Sequence, residues 1–200
     1  MQAIRHLLPV VALLTMSASA IASTTVYTSQ SGFLAQLAPA SYTETFTDLS
    51  DGPPGPQTFG SGTFAFTAQA SSGLYLSGGF LGTSQIDDAL TVSFGAGVKA
   101  VGGNFFTVDL GDSLQSVNVT VTLSDATTVS FTPTSFADSY RGFVSTLDIT
   151  SLTISAPGQS LYASMDNLTV GTIAAVPEPA SWALMGLGVM GLLAARRRAV

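Results

Sequence analysis

The run Leu114-Gln115-Ser116-Val117-Asn118-Val119-Thr120-Val121-Thr122-Leu123 decides the fold. Val117, Val119, Val121 and Leu123 fall on one side, and Asn118, Thr120 and Thr122 on the other. Strict period two marks a half-buried strand; a helix would repeat apolar residues near every 3.6. Asp125-Ala126 then turns the chain into Thr127–Phe131, which reads as the return strand of a hairpin. Outward from this pair, extended runs recur: Thr24–Thr28, Tyr42–Thr47, Thr63–Thr67, Leu74–Leu76, Ala89–Phe94, Val98–Val108, Gly142–Val144, Ile149–Ile154 and Leu161–Val170. Tyr42, Glu44 and Phe46 share one face, as do Phe64 and Phe66. Ser31–Leu37 predicts a short helix with Phe33, Leu34 and Leu37 on one side, stopping at Pro39. Asp51–Pro56 (D-G-P-P-G-P) is an irregular loop that cannot join a ladder. About nine to eleven short strands rich in Thr, Ser, Val and Gly predict an all-β fold. The expected form is an antiparallel β-sandwich, jelly-roll-like, with one short helix near the N-terminus capping one end.

Both ends of the chain read as addresses. Arg5 and His6 form a basic n-region, and Leu7–Leu14 an apolar h-region. Ala20-Ile21-Ala22 is a small-x-small site, with Ala18-Ser19-Ala20 as a rival. This is a secretory signal peptide over residues 1–22, cut between Ala22 and Ser23 by signal peptidase after export through the general secretion machinery. Residues 23–173 form one domain, long enough to bury a core. Residues 174–200 are a second signal with three parts. Pro177-Glu178-Pro179 is stiff and extended. Ser181–Ala195 is an uncharged apolar run spanning roughly 22 Å as a helix, short of a hydrocarbon core of about 30 Å. Trp182 suits one interface, and Arg196, Arg197 and Arg198 suit the cytoplasmic one by the positive-inside bias.

This C-terminal arrangement resembles the PEP-CTERM sorting signal of Gram-negative bacteria. The likeness rests on Val176-Pro177-Glu178-Pro179, Trp182, Leu184, Gly186, Leu187, Gly188, Gly191, Leu192 and Arg196–Arg198. It implies an exosortase, a membrane-embedded cysteine protease or transpeptidase, that processes the protein at or near Pro177-Glu178-Pro179. The alternative, an ordinary tail anchor, is nearer 20 apolar residues and has no need of the prolines. Val98–Phe106, Arg141–Ile154 and Met165–Gly171 look like the β-sandwich ectodomains common among PEP-CTERM proteins, the last as a closing strand with an Asp-Asn pair.

Composition excludes most chemistry. The one histidine, His6, lies in the signal peptide, and there is no cysteine. The exported domain therefore has no histidine-based catalysis, no Ser-His-Asp or Cys-His nucleophile, and no zinc site built on His or Cys. Disulfides are absent. Between residues 23 and 176, Lys99 and Arg141 face eleven carboxylates, a net of −9. Nucleic acid is excluded as a partner, because a phosphate backbone needs a basic footprint.

Gly95-Ala96-Gly97-Val98-Lys99-Ala100 fits the letters G-x-G-x-x-A, yet strand pattern follows where a dinucleotide site needs a helix. It reads as a turn. Asp87-Asp88, Asp109, Asp112 and Asp166-Asn167 are the oxygen-rich positions that suit Ca²⁺ in loops of an extracellular sandwich, with Asp88 and Asp166 the candidates; each also suits a turn cap. Glu44 and Asp48 are the candidate carboxylate pair for glycoside hydrolysis, but the neighbouring loop reads as a strand end. Tyr75, Tyr140 and Tyr162 can stack on sugars or pack half-buried. Asn118-Val119-Thr120 and Asn167-Leu168-Thr169 match the glycosylation sequon and read as solvent-face strand residues.

The expectation is thus an exported, non-enzymatic protein without a cofactor. It is held transiently at the inner membrane with its domain in the periplasm, then placed at the cell surface or in the extracellular matrix. On the family's pattern it is structural or adhesive, with exopolysaccharide as a partner. The competing class is a glycan-binding module, Ca²⁺-dependent or not. A concave sheet face lined with Tyr and Asp would favour binding, and a flat Thr/Ser face would favour matrix structure.

Overall fold

The structure is a computed structural model, and it describes residues 23–47, 49, 55–77, 79–174 and 186–189. In chain order the elements are β1 (Thr24–Tyr27), α1 (Gln30–Leu34), β2 (Leu37–Glu44), β3 (Gln57–Phe59), β4 (Phe66–Ala70), β5 (Leu74–Ser77), β6 (Phe80–Thr83), β7 (Leu90–Phe94), β8 (Ala100–Val108), β9 (Val119–Leu123), β10 (Thr128–Phe131), β11 (Tyr140–Ser145), β12 (Ser151–Ser155) and β13 (Tyr162–Ile173). Two sheets pack face to face. One has seven strands, in the order β1-β11-β8-β13-β6-β5, with β2 also paired to β13. The other has six, in the order β10-β9-β12-β7-β4-β3. Every pairing is antiparallel.

The deciding run folds as its period demands, but only in its second half. In β9, Val119, Val121 and Leu123 are buried in the core between the sheets, while Thr120 and Thr122 face out. The predicted hairpin is present, with Thr128–Phe131 paired to Val119–Thr122. Its tip is held by Asp125, which accepts from Thr127 N at 2.9 Å and from Thr24 Oγ1 at 2.7 Å. Residues 114–118 do not join that ladder. Leu114 bridges back to Val108, and Gln115 N donates to Thr107 O. This segment carries the chain from one sheet to the other, so its alternation records a crossing rather than a strand.

β8 shows no alternation because both of its faces are covered. All nine of its residues are buried. Val101 and Phe105 enter the core, and Ala100, Phe106 and Val108 pack in clusters on the outer face. β13 runs beside it with a bulge: Asp166 opposes Asn104 and Thr169 opposes Gly102, so one residue is extra. Asn167 takes up the difference at φ 50°, a left-handed conformation that Asn tolerates. It is therefore a bulge residue rather than a solvent-face strand residue.

Four further local expectations are corrected. The helix is Gln30–Leu34, capped by Ser29 Oγ accepting from Gly32 N. Leu34 is exposed and Leu37 opens β2. Pro39 does not stop the helix; it lies where β2 slips against β13, between Leu37↔Ile173 and Ser41↔Gly171. There a missing N–H costs no ladder bond. Phe64 lies in a 3-10 turn, Gly62–Phe64, and Phe46 follows β2 with φ 52°, so neither shares a strand with its supposed partner. The helix does not cap an end. It lies on the outer face of the seven-stranded sheet, where the Phe33 ring covers Gly102 and Gly142, which oppose each other across β8 and β11.

Tyr140 packs beside Phe33, and its buried hydroxyl has no hydrogen-bond partner among the described residues. Burial pushes its ionisation well above the usual tyrosine range. An unpaired buried hydroxyl carries a desolvation cost. Tyr140→Phe is therefore expected to raise the unfolding free energy by about 1 kcal/mol in urea titration. A loss of stability would show that the hydroxyl is paired.

Candidate functional site

The outer faces of the two sheets differ. On the six-stranded sheet the outward positions are Thr58, Thr67, Gln69, Thr91, Ser93, Thr120, Thr122, Thr128, Ser130, Ser151, Thr153 and Ser155, as alternation from the buried set requires. None is charged. Thr91, Thr153, Thr122 and Thr128 oppose one another in turn across four adjacent strands. Hydroxyl pairs tie the rows together: Thr58–Thr67 at 2.9 Å, Thr91–Thr153 at 3.2 Å, Thr120–Ser130 at 2.9 Å and Thr122–Thr128 at 3.3 Å. β-Branched threonines favour this pleated surface, and its outward strand positions are uncharged; a hollow of about 390 Å³ bordered by Gln69, Thr91 and Asp88 opens on it.

The seven-stranded sheet instead carries a groove. One cross-strand row runs Phe106, Ser164, Gly82, Tyr75. The middle of the row is small: a Cβ on Gly82 would lie 2.9 Å from Ser164 Oγ. The Phe80 ring lies over this small middle, 3.6 Å from where a Cβ on Gly82 would sit, and the hollows open beside the aromatic cluster it forms with Tyr75 and Phe106. Phe80 meets Tyr75 at 5.9 Å and Phe106 at 5.8 Å between ring centroids, and Phe106 meets Phe136 edge-on at 5.6 Å. The next row pairs Val108 with Tyr162. Two adjoining hollows result. One of about 150 Å³ is lined by Tyr75, Thr83, Ser84, Val108, Asp109, Leu110, Asp112 and Tyr162. The other, about 520 Å³ and open, is lined by Gly79, Phe80, Phe106, Val108, Asp112, Leu114, Thr134, Ser135, Phe136 and Asp166.

Two loops wall this groove. Asp109 folds the first, accepting from Gly111 N at 2.9 Å, Ser113 N at 3.0 Å and Gln115 Nε2 at 2.7 Å. Tyr75 Oη donates to Asp112 Oδ2 at 2.9 Å and ties that loop to β5. Asn104 holds the second, donating from Nδ2 to Phe136 O at 2.9 Å and Ser139 Oγ at 3.0 Å. Asp166, opposite Asn104, accepts from Asn167 N and Nδ2 at 2.6 and 3.0 Å. Its burial raises the carboxyl above the usual range against the lowering effect of the Asn167 N–H.

The predicted residues fall as follows. Tyr75 and Tyr162 converge on the groove with Asp109, Asp112 and Asp166; Tyr140 lies under the helix. Asp88 is elsewhere, accepting from Ser71 Oγ, Ser72 N and Ala89 N, each at 2.8 Å. Burial alone would raise this carboxyl, but the Ser72, Ser71 and Ala89 hydrogen bonds hold it below the usual range. Asp87 braces the turn before β13 by accepting from Gln159 N and Ser160 N. Among the described residues no three His, Cys, Asp or Glu side chains gather as a metal site. Glu44 braces a turn, accepting from Tyr42 Oη and Phe46 N. Burial, then the Glu44 hydrogen bond and charge, push Tyr42 up to about 12. Gly95–Gly97 is a turn between β7 and β8, with Gly97 N donating to Asp148 Oδ2 at 2.8 Å.

No local sequence pattern marks Phe80, Phe106 and Phe136 as site residues. Phe80 sits in a four-residue strand after two glycines, too short for a period. Phe106 is one of a Phe-Phe pair whose faces cannot be told apart without the sheet order.

Ala22, Asp48, Pro177, Glu178, Pro179, Trp182, Arg196, Arg197 and Arg198 lie outside the described residues. Residues 186–189 are helical, with Leu187 and Val189 exposed. No helix among the described residues is long and apolar enough to cross a membrane. Searches of curated proteins and of solved structures return no match. A family model described as the PEP-CTERM protein-sorting motif matches residues 175–198. The chain therefore carries a PEP-CTERM sorting signal, the mark of an exported protein that an exosortase processes.

Proposed function

We propose that residues 23–173 are a structural or adhesive component of the cell surface or its exopolysaccharide matrix. They form a jelly-roll-like sandwich released from, or attached after, a transient membrane stage. The observation that carries this reading is the neutral Thr/Ser face of the six-stranded sheet. In a domain of net charge −9 it offers a broad hydroxyl surface whose strand positions carry no charge of their own. In this reading the protein is not an enzyme and carries no cofactor. Ala22 and Ser23 flank the signal-peptidase cut, Pro177-Glu178-Pro179 is the processing motif, and Trp182 with Arg196–Arg198 sets the topology before processing.

Mass spectrometry of both ends of the mature protein tests the route. In a host with its exosortase, the chain is expected to begin at Ser23 and to lack Arg196–Arg198. In a host without the exosortase, or with Pro177, Glu178 and Pro179 changed to Ala, the arginines are retained. An intact tail in both hosts overturns the sorting route.

A second reading is favoured by the groove. Tyr75 and Tyr162, with aromatic walls and carboxylate acceptors, suit a glycan-binding module. Hydrogen-bond acceptors meet hydroxyls, and ring faces meet the C–H faces of sugars.

A further inference from the structure

The geometry points to a cationic, amine-bearing glycan as the ligand of the groove on the seven-stranded sheet. This rests on the second reading above and narrows it. The floor is apolar and aromatic, while its polar rim is one-sided. Asp112 and Asp166 lie in the same hollow, and Asp109 lies in the adjoining one. No Lys or Arg lines either hollow. The two cations among the described residues are engaged elsewhere. Lys99 Nζ donates to Thr146 O at 3.2 Å. Arg141 stacks 3.7 Å over Phe131 and donates to Asp138 O and Tyr140 O. A uronic or phosphorylated sugar would meet uncompensated carboxylates. An ammonium in the larger hollow would have Asp112, Asp166 and Phe136 around it, and one in the smaller hollow Asp109, Asp112, Tyr75 and Tyr162; carboxylates and aromatic rings both attract cations.

The same floor disfavours a cationic peptide. Extended peptides are recognised through main-chain hydrogen bonds at an open edge. β5 is the edge of this sheet, but β6, β13 and β8 beneath the groove are each paired on both sides, so recognition on the groove floor falls to side chains. Short-range charge attraction to a flexible, hydroxyl-rich cation then gives an affinity that weakens with salt.

The test is calorimetric titration of the full chain with four probes: a β-1,4-linked glucosamine oligomer with free amines, its fully N-acetylated counterpart, oligogalacturonate, and oligolysine. The expected result is binding of the amine oligomer alone, weakened at least tenfold by Asp112→Asn and by Phe136→Ala. Asp112 also accepts from Tyr75 Oη and Phe136 packs on Phe106, so melting curves first establish that each variant is folded at the titration temperature. Equal binding of the N-acetylated oligomer overturns the cationic inference while leaving the glycan reading standing. Groove-dependent binding of oligolysine as strong as that of the amine oligomer also overturns it. Absence of binding by all probes overturns both.

Discussion

Phe33→Ala is expected to lower the unfolding free energy by about 3–5 kcal/mol, and Gly142→Ala by about 1–3 kcal/mol. The double variant is expected to lose clearly less than the sum. The reason is one notch. Gly102 and Gly142 oppose each other on the outer face of the seven-stranded sheet, and the Phe33 ring lies against both. A Cβ on Gly142 would lie 2.6 Å from Phe33 Cγ and Cδ2 and 2.8 Å from its Cβ. These atoms sit at the base of the side chain, so the ring cannot swing aside; the helix itself must lift. Five residues cannot hold a helix unaided, so α1 exists because this ring docks. Once Phe33 is gone, the methyl at 142 has nothing to strike, and the two losses couple. Urea titrations of the four proteins measure the coupling. Gly95→Ala is the control, since a Cβ there meets only the Thr63 carbonyl at 3.6 Å. Strict additivity of the two variants would show that the ring and the glycine do not share a notch.

Phe66→Ala carries the second large loss, about 3–5 kcal/mol. Phe66 points inward from β4 and is almost wholly buried. Its ring stacks on Phe59 at 5.2 Å and meets Tyr42 at 6.4 Å, Phe94 at 6.3 Å and Phe46 at 6.5 Å. Tyr42 belongs to the seven-stranded sheet and Phe46 to the turn after β2, so this ring closes the core between sheets that the chain joins by a long connection. Truncation leaves a cavity bordered by four rings, and aromatic contacts are lost beyond the buried area. Phe94 borders the same cluster but is only partly buried. Phe94→Ala should cost less than half as much in the same titration. Equal losses would place the centre of the cluster elsewhere.

The strands were legible where one face meets water. Val119–Leu123 alternates because the core lies on one side and solvent on the other, and the hairpin after it follows from the Asp125-Ala126 turn. β6 was missed, because Phe80–Thr83 shows four buried residues and no contrast. Pro39 misled because proline stops helices in general, while the β2 slip that accommodates it arises from pairing with a strand about 130 residues away. Of the groove, Tyr75 and Tyr162 were legible as rings that can stack on sugars, as was Tyr140, which lies under the helix instead, and Asp109, Asp112 and Asp166 only as oxygen-rich loop positions suited to Ca²⁺ or turn caps. Their convergence, and the part played by Phe80, Phe106 and Phe136, were not.

The sequence by itself determined the all-β class, the charge balance, the absence of cysteine and of any histidine after His6, and a sorting signal read at residues 174–200, which the family model matches at 175–198. These follow from composition and from short-range order, which neighbouring residues settle among themselves. Only the tertiary structure decided which sheet face carries the neutral hydroxyl rows and which carries the groove. Period two says that alternate residues part company, but not which of the two sides meets the core. Strand order decides that, by setting Tyr75, Val108 and Tyr162 side by side from distant parts of the chain.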